Sequence, residues 1–168
     1  MSKSGTTPSR TSAARPLVLF VCTGNICRSP MAEALLRHHL PPGTPWRVAS
    51  AGTLAFDGDE PSEEILEALA EVDICLPDHH SQPLTAERVC EARVIVAMTR
   101  GHRDDILERF PSAAQKVFLL RSFDPRADDD KNIADPIGGN LSVYRRCRDD
   151  IAAAIPGLVE FLGDLNSH

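Results

Sequence analysis

Cys22-Thr23-Gly24-Asn25-Ile26-Cys27-Arg28-Ser29 sets a cysteine and an arginine either side of five residues, between an apolar run and a helix start. The run before it, Leu17-Val18-Leu19-Phe20-Val21, is continuous in the way of a strand buried in a parallel sheet. Ser29-Pro30-Met31-Ala32-Glu33 opens a helix with an early proline and an acid in its first turns. The octapeptide therefore belongs at a helix N-terminus, where unpaired N–H groups and the positive end of the helix dipole favour an anion and favour thiolate over thiol. Thr23, Gly24, Asn25, Ile26, Cys27 and Arg28 are the candidate phosphate-binding residues, with Cys22 as candidate nucleophile. Gly24 permits close backbone approach, and Asn25 tolerates a left-handed backbone that turns amides inward. Arg28 offers a planar fork for two phosphoryl oxygens, and Ser29 a hydroxyl donor for the sulfur.

These residues resemble the low-molecular-weight protein phosphatases, which carry a Cys-x5-Arg-Ser loop. Ser50-Ala51-Gly52-Thr53 is similar to the family's second-strand signature, and His79-His80-Ser81-Gln82-Pro83-Leu84-Thr85 to its histidine-containing turn. Ala97-Met98-Thr99 matches the end of its third strand. Asp135-Pro136-Ile137-Gly138-Gly139, then Tyr144-Arg145-Arg146, resembles its acid loop and following helix. The likeness runs in chain order from Leu17 to Leu162. It implies a phosphocysteine mechanism in which Asp135 is the acid, His79 buttresses Asn25, Ser29 and Ser50 support the loop, and Phe56, Ile26 and Ile137 wall the substrate. It also implies that Cys27 can pair with Cys22 under oxidants and protect it.

One carboxyl must serve both half-reactions, since a leaving group needs a proton and the phosphocysteine then needs an activated water. Asp135 has a rationale apart from the resemblance, because Ser122 to Pro136 is a long connection, and such connections in compact domains are usually functional. Asp128-Asp129-Asp130 in the same connection reads as a solvated charge run. No metal or organic cofactor is required.

With 168 residues, 42% of them hydrophobic, one domain with a sizeable core is expected, as a phosphatase domain over residues 17–165 behind a flexible tail over residues 1–16. That tail is rich in Ser and Thr, carries Lys3, Arg10 and Arg15 and no acid; a disordered tail is the simpler reading and an organelle transit sequence the alternative. The formal net charge of -6 argues against nucleic acid or an anionic membrane as partner. No segment has the apolar length of a membrane span, so a cytoplasmic protein is expected, acting on phosphorylated protein and releasing inorganic phosphate. Five cysteines in such a chain read as thiols, with Cys75, Cys90 and Cys147 as buried small hydrophobes.

Further strands are expected at Trp46–Ala51, Val94–Met98 and Val117–Leu120. A helix from about Pro61 should bury Ile65, Leu66, Leu69 and Val72, and a charged helix should span Arg100 to Phe110. In the last helix Tyr144, Cys147, Ile151 and Ile155 share a face, and Pro156-Gly157 should end or kink it before a short final helix with Val159 and Leu162. The fold class is α/β: a single-domain, doubly wound, four-stranded parallel sheet with helices on both faces, of the phosphotyrosine protein phosphatase I type. Ligands then bind beyond the carboxyl ends of the strands, where Phe56 and Asp135 would flank a crevice above Cys22. Phe56 could instead anchor its loop on the core.

Within the resembled family, Ile26 favours phosphotyrosine, since arginine-specific members place a threonine there. The Asp135 to Gly139 loop favours phosphoarginine, being closer to the arginine-phosphatase pattern and lacking a second aromatic at Ile137. Arsenate reduction lacks its cysteine relay, because Met98-Thr99-Arg100-Gly101 holds none and Cys90 precedes the strand. A noncatalytic phosphoprotein-binding module would need the clamp but not nucleophile and acid together. Gln82 departs from an arginine common in the family, and His38, His39 and His80 read as surface residues.

Overall fold

The computed structural model describes residues 15–167, so the expectations for residues 1–14 lie outside the described residues. Four strands, β1 (Leu17–Cys22), β2 (Arg47–Gly52), β3 (Val94–Ala97) and β4 (Val117–Leu119), form one parallel sheet in the order β2-β1-β3-β4. Every residue of β1 is buried, because a central parallel strand is covered on both faces. Its alternating side chains divide the core in two. Val18, Phe20 and Cys22 pack with α1 (Arg28–His39), α2 (Glu63–Ala70) and α5 (Leu141–Asn166), whereas Leu17, Leu19 and Val21 pack with α3 (Ala86–Glu91) and α4 (Arg100–Arg109). The doubly wound α/β fold is the one expected, and no helix among the described residues is long and apolar enough to cross a membrane.

Just ahead of β1, Pro16 O accepts Arg47 N–H at 2.8 Å. Trp46 lies just before β2 rather than in it, buried, with its indole N–H on Leu162 O at 3.1 Å. In α2, Ile65 and Leu69 are fully buried, but Leu66 and Val72 are exposed. Leu66 is a turn-fraction off the core face, and Val72 falls beyond the helix end, where Asp73 adopts φ 62. The short helix α3 was not anticipated: Val89 is its one buried side chain, too few for a periodic signal, although Thr85 caps it.

The largest departure is at Pro156-Gly157, where α5 continues unbroken instead of ending. Pro156 is exposed, and the buried face formed by Ile151, Ala154, Ile155, Leu158 and Leu162 outweighs the one helical hydrogen bond that proline removes. Gly157 is needed for contact rather than for termination. A Cβ there would stand 2.1 Å from Phe123 O, in the 3-10 turn Leu120–Phe123 against which α5 packs. Gly157→Ala, ordinarily favourable in a helix, should therefore destabilise the fold by on the order of 2 kcal/mol, or about 4–8 °C in melting midpoint. A raised midpoint would show that the two elements separate freely.

Candidate active site

β1 ends on Cys22 and α1 begins at Arg28, so residues 23–27 form a loop at the carboxyl edge of the sheet. Cys22 Sγ lies 2.9 Å from Ser29 Oγ. Asn25, fully buried at φ 60, organises the loop. Its amide donates to Ser29 Oγ and Ser50 Oγ, both at 2.9 Å; its Oδ1 accepts from Gln82 N–H at 2.9 Å, and its carbonyl from His79 Nε2 at 2.8 Å. Ser50 in turn donates to the buried carboxylate of Glu33 at 2.5 Å.

The polarity of this chain follows from counting protons. Ser50 has one, which goes to Glu33, so it can only accept from Asn25; Asn25 spends both amide protons, so Ser29 accepts as well. The Ser29 proton is thereby free to point at the Cys22 sulfur, 2.9 Å away. Glu33 thus acts as more than the helix-opening acid expected from sequence: it lies in the second turn of α1, buried, paired with Arg37 and 3.9 Å from His79 Nδ1.

Within the protein itself, the glycine that a close approach requires is Gly52. A Cβ on Gly24 would meet only Ile26 Cγ1 at an ordinary 3.7 Å, whereas one on Gly52 would stand 2.4 Å from Thr23 O. The close approach falls on the end of β2, which backs the loop.

Arg28 is buried, with Nη1 donating to Ile133 O at 2.9 Å and Nη2 3.7 Å from Asp135 Oδ2. The acid connection is therefore held to the clamp itself. It is stapled further by Ile133 N–H to Met98 O at 2.9 Å, Asn132 Oδ1 accepting from Arg100 N–H at 2.8 Å, and Arg121 on Asn132 O at 3.2 Å. Asp135 is half exposed, its Oδ1 accepting from Ile137 N–H at 3.1 Å. Asp128, Asp129 and Asp130 are exposed, as a solvated run should be.

The segment after β2 arches beside the loop, with Leu54 N–H on Thr23 O and Ser62 N–H on Ile26 O, each at 3.0 Å. Ser81 pins the arch from behind through Phe56 O, Gly58 and Asp59. Phe56 is 77% exposed, so it does not anchor the loop on the core; Leu54, unremarked in the sequence, and Ile137 are also exposed.

Cys27 is buried and its thiol donates to Ser62 Oγ at 3.6 Å. Burial pushes this thiol upward, against a smaller lowering by Ser62. Burial likewise pushes Cys147 and Tyr144 each up to about 12. Cys75 and Cys90 depart from expectation: both are exposed, Cys75 in the turn after α2 and Cys90 on the outer side of α3. His102 is a further buried group that sequence reading passed over, contacting Thr23 Oγ1 at 2.8 Å. Its signal was faint, a histidine three residues after the capping Thr99.

A cysteine at a helix N-terminus, a buried arginine and a nearby carboxyl on a parallel α/β sheet define a cysteine-dependent phosphatase. The model of the low molecular weight phosphotyrosine protein phosphatase family matches residues 17–167, and the chain belongs to that family. It is 46% identical over 145 residues to a protein-arginine-phosphatase of Geobacillus stearothermophilus, covering 86% of this chain and 95% of that one. It is 34% identical over 151 residues to low molecular weight protein-tyrosine phosphatase A of Mycobacterium tuberculosis, covering 88% and 91%. Among solved structures, YwlE arginine phosphatase from Geobacillus stearothermophilus superposes with a TM-score of 0.81 at 44% identity, covering 91% and 97%. A low molecular weight phosphotyrosine phosphatase from Vibrio cholerae O395 does so with 0.82 at 31%, covering 89% and 98%.

His102 is held down at about 4, from an ordinary 6.5, first by burial and then by the charge of Arg28, with Asp105 and Asp135 acting oppositely. The unfolded chain protonates this ring where the folded chain does not, so its stabilisation is complete above 6.5 and is lost as pH falls toward about 4. Glu71, gripped by Arg145 and Arg148, is held at about 2 from 4.5, so its contribution is lost in the lower window between those values. Melting midpoints followed down to about pH 5 should fall in the wild type and fall less in His102→Gln. Parallel slopes would show that another group governs this window.

Proposed function

We propose that this enzyme hydrolyses phosphorylated protein in the cytoplasm through a phosphocysteine on Cys22, with phosphotyrosine as the preferred side chain. The observation that carries the mechanism is the sulfur 2.9 Å from the Ser29 hydroxyl, in the same loop as Arg28, whose Nη2 is 3.7 Å from Asp135 Oδ2. In the first step the sulfur attacks phosphorus in line; the S–P bond forms as the P–O bond breaks, and Asp135 gives its proton to the leaving oxygen. Loop amides from Thr23 to Arg28 and the Arg28 guanidinium hold the equatorial oxygens. In the second step Asp135 takes a proton from water, which attacks phosphorus, breaks the S–P bond and releases inorganic phosphate.

The walls support phosphotyrosine. Ile26, Phe56 and Ile137 present carbon surface without side-chain acceptors, which suits an aromatic ring, whereas a guanidinium brings several N–H donors that need partners. Phosphoarginine is the second reading, supported by the 46% identity to a protein-arginine-phosphatase.

Matched phosphotyrosine and phosphoarginine peptides should give a higher kcat/KM for phosphotyrosine, and Ile26→Thr should weaken that preference. Cys22→Ser should abolish turnover, and Asp135→Ala should slow substrates with poor leaving groups about 10²-fold or more while sparing activated aryl phosphates. A phosphoarginine preference in the wild type would install the second reading; equal losses on both leaving groups would remove Asp135 as the acid.

Cys22 and Cys27 share the loop as buried free thiols, which supports a protective disulfide. Peroxide would convert the Cys22 thiolate to sulfenic acid, and Cys27 would displace water from it to form the S–S bond. Activity should then return with a small thiol in the wild type and return less in Cys27→Ser; equal recovery would dismiss the role.

A further inference from the structure

His102 takes no part in the scheme above, yet it is buried directly behind the first residue of the phosphate loop. It sits in the opening turn of α4, 7% exposed, with Nε2 2.8 Å from Thr23 Oγ1 and Nδ1 3.0 Å from Thr99 Oγ1. Thr99 Oγ1 also accepts the backbone N–H of His102 at 3.1 Å, so the cap of α4 and the ring orientation are set by one hydroxyl. Both ring nitrogens are thereby matched to hydroxyls, which donate or accept as a neutral imidazole requires.

Thr23 follows the nucleophile and is held on two sides. Its carbonyl takes Leu54 N–H at 3.0 Å, which ties it to the arch after β2, and its side chain meets His102, which ties it to α4. The peptide between Cys22 and Thr23 is held as well, its Cys22 carbonyl accepting Thr53 N–H at 2.9 Å, so the His102 bond adds a side-chain hold at Thr23 to two backbone ones.

We propose that His102 is a positioning residue for the phosphate loop, acting through Thr23 Oγ1 to fix the Thr23 side chain and with it the start of the loop, so that the loop amides converge on the phosphoryl group. The inference rests on Cys22 being the nucleophile of that loop. Burial and the nearby Arg28 keep the ring neutral at working pH, so it holds Thr23 without adding a second positive charge beside the clamp. Donors pre-aimed at a developing oxyanion contribute strongly to rate, and a loop whose Thr23 side chain is unanchored loses part of that alignment.

The test compares wild type with His102→Phe, which keeps a ring and removes both bonds, His102→Gln, which can restore one bond to Thr23, and Thr23→Val, which removes the hydroxyl at nearly constant shape. Each is assayed for kcat/KM on an aryl phosphate, for inhibition by vanadate and for melting midpoint. His102→Phe and Thr23→Val should each lower kcat/KM and weaken vanadate binding about tenfold or more. Their double variant should lose little beyond either one, and His102→Gln should recover part of both readouts. Wild-type kcat/KM and vanadate affinity in Thr23→Val would overturn the proposal even if His102→Phe did not fold. So would additive losses, or a loss that follows the melting midpoint and is not restored in His102→Gln. Cys22→Ser, run in parallel, separates the two levels: turnover retained there would sink the nucleophile reading itself, whatever the His102 variants do.

Discussion

The buried side chain of Asn25 is the constraint on which the site depends. A left-handed residue in a loop between a strand and a helix is held only when its surroundings over-determine it, and here four partners from three other segments do so: Ser29, Ser50, His79 and Gln82. Because the Glu33 carboxylate can only accept, the protons of Ser50 and Asn25 have fixed directions, and the Ser29 hydroxyl keeps its own proton free to face the sulfur. Local loop geometry and the surroundings of the Cys22 sulfur are thus one hydrogen-bond network. Breaking a link would leave a buried polar atom without a partner, an outcome more costly than the bond is worth when made.

The sheet makes that network possible. β2 lies beside β1 in register, Cys22 opposite Gly52, which brings Ser50 within reach of Asn25 and lets the backbone of Thr23 approach the end of β2 where no Cβ would fit. From Gly52 the chain arches past the loop and returns at Ser62, contacting it at both ends. Apolar residues exposed on this arch, Leu54 and Phe56, are therefore held in place by backbone bonds instead of by burial. That resolves an apparent conflict, since exposed large apolar side chains are otherwise costly to order.

Much of this was legible before any coordinates. The apolar runs and helical spacings marked four strands and four of the five α-helices, because burial on both sheet faces leaves a strong pattern. The loop was legible because its residue types fit one chemistry at one spacing. What escaped has a physical cause in each case. Pro156 was read by local propensity, whereas a buried stripe in α5 prevails over it. Glu33 and His102 look like ordinary helix residues in one dimension, and become network members only when β2 and α4 fold against the loop. The need for Gly52 escaped because its close neighbour, Thr23 O, lies in a loop far away in sequence.

The acid connection shows how an irregular segment can be exact in position. Asn132 and Ile133 are tied at four points, to Arg100, Arg121, Met98 and Arg28, and Asp135 follows two residues later. Its two oxygens then divide their tasks. Oδ1 closes a turn with Ile137 N–H, while Oδ2 faces Arg28 across 3.7 Å. The turn engages Oδ1, which leaves Oδ2 as the oxygen on the side of Arg28, and under the proposed mechanism that is the oxygen that would exchange a proton. Since Arg28 also donates to Ile133 O, the arginine and the segment that carries Asp135 share one anchor. A displacement of either would strain that bond, which is the arrangement the proposed clamp and acid would need in order to keep their relative position.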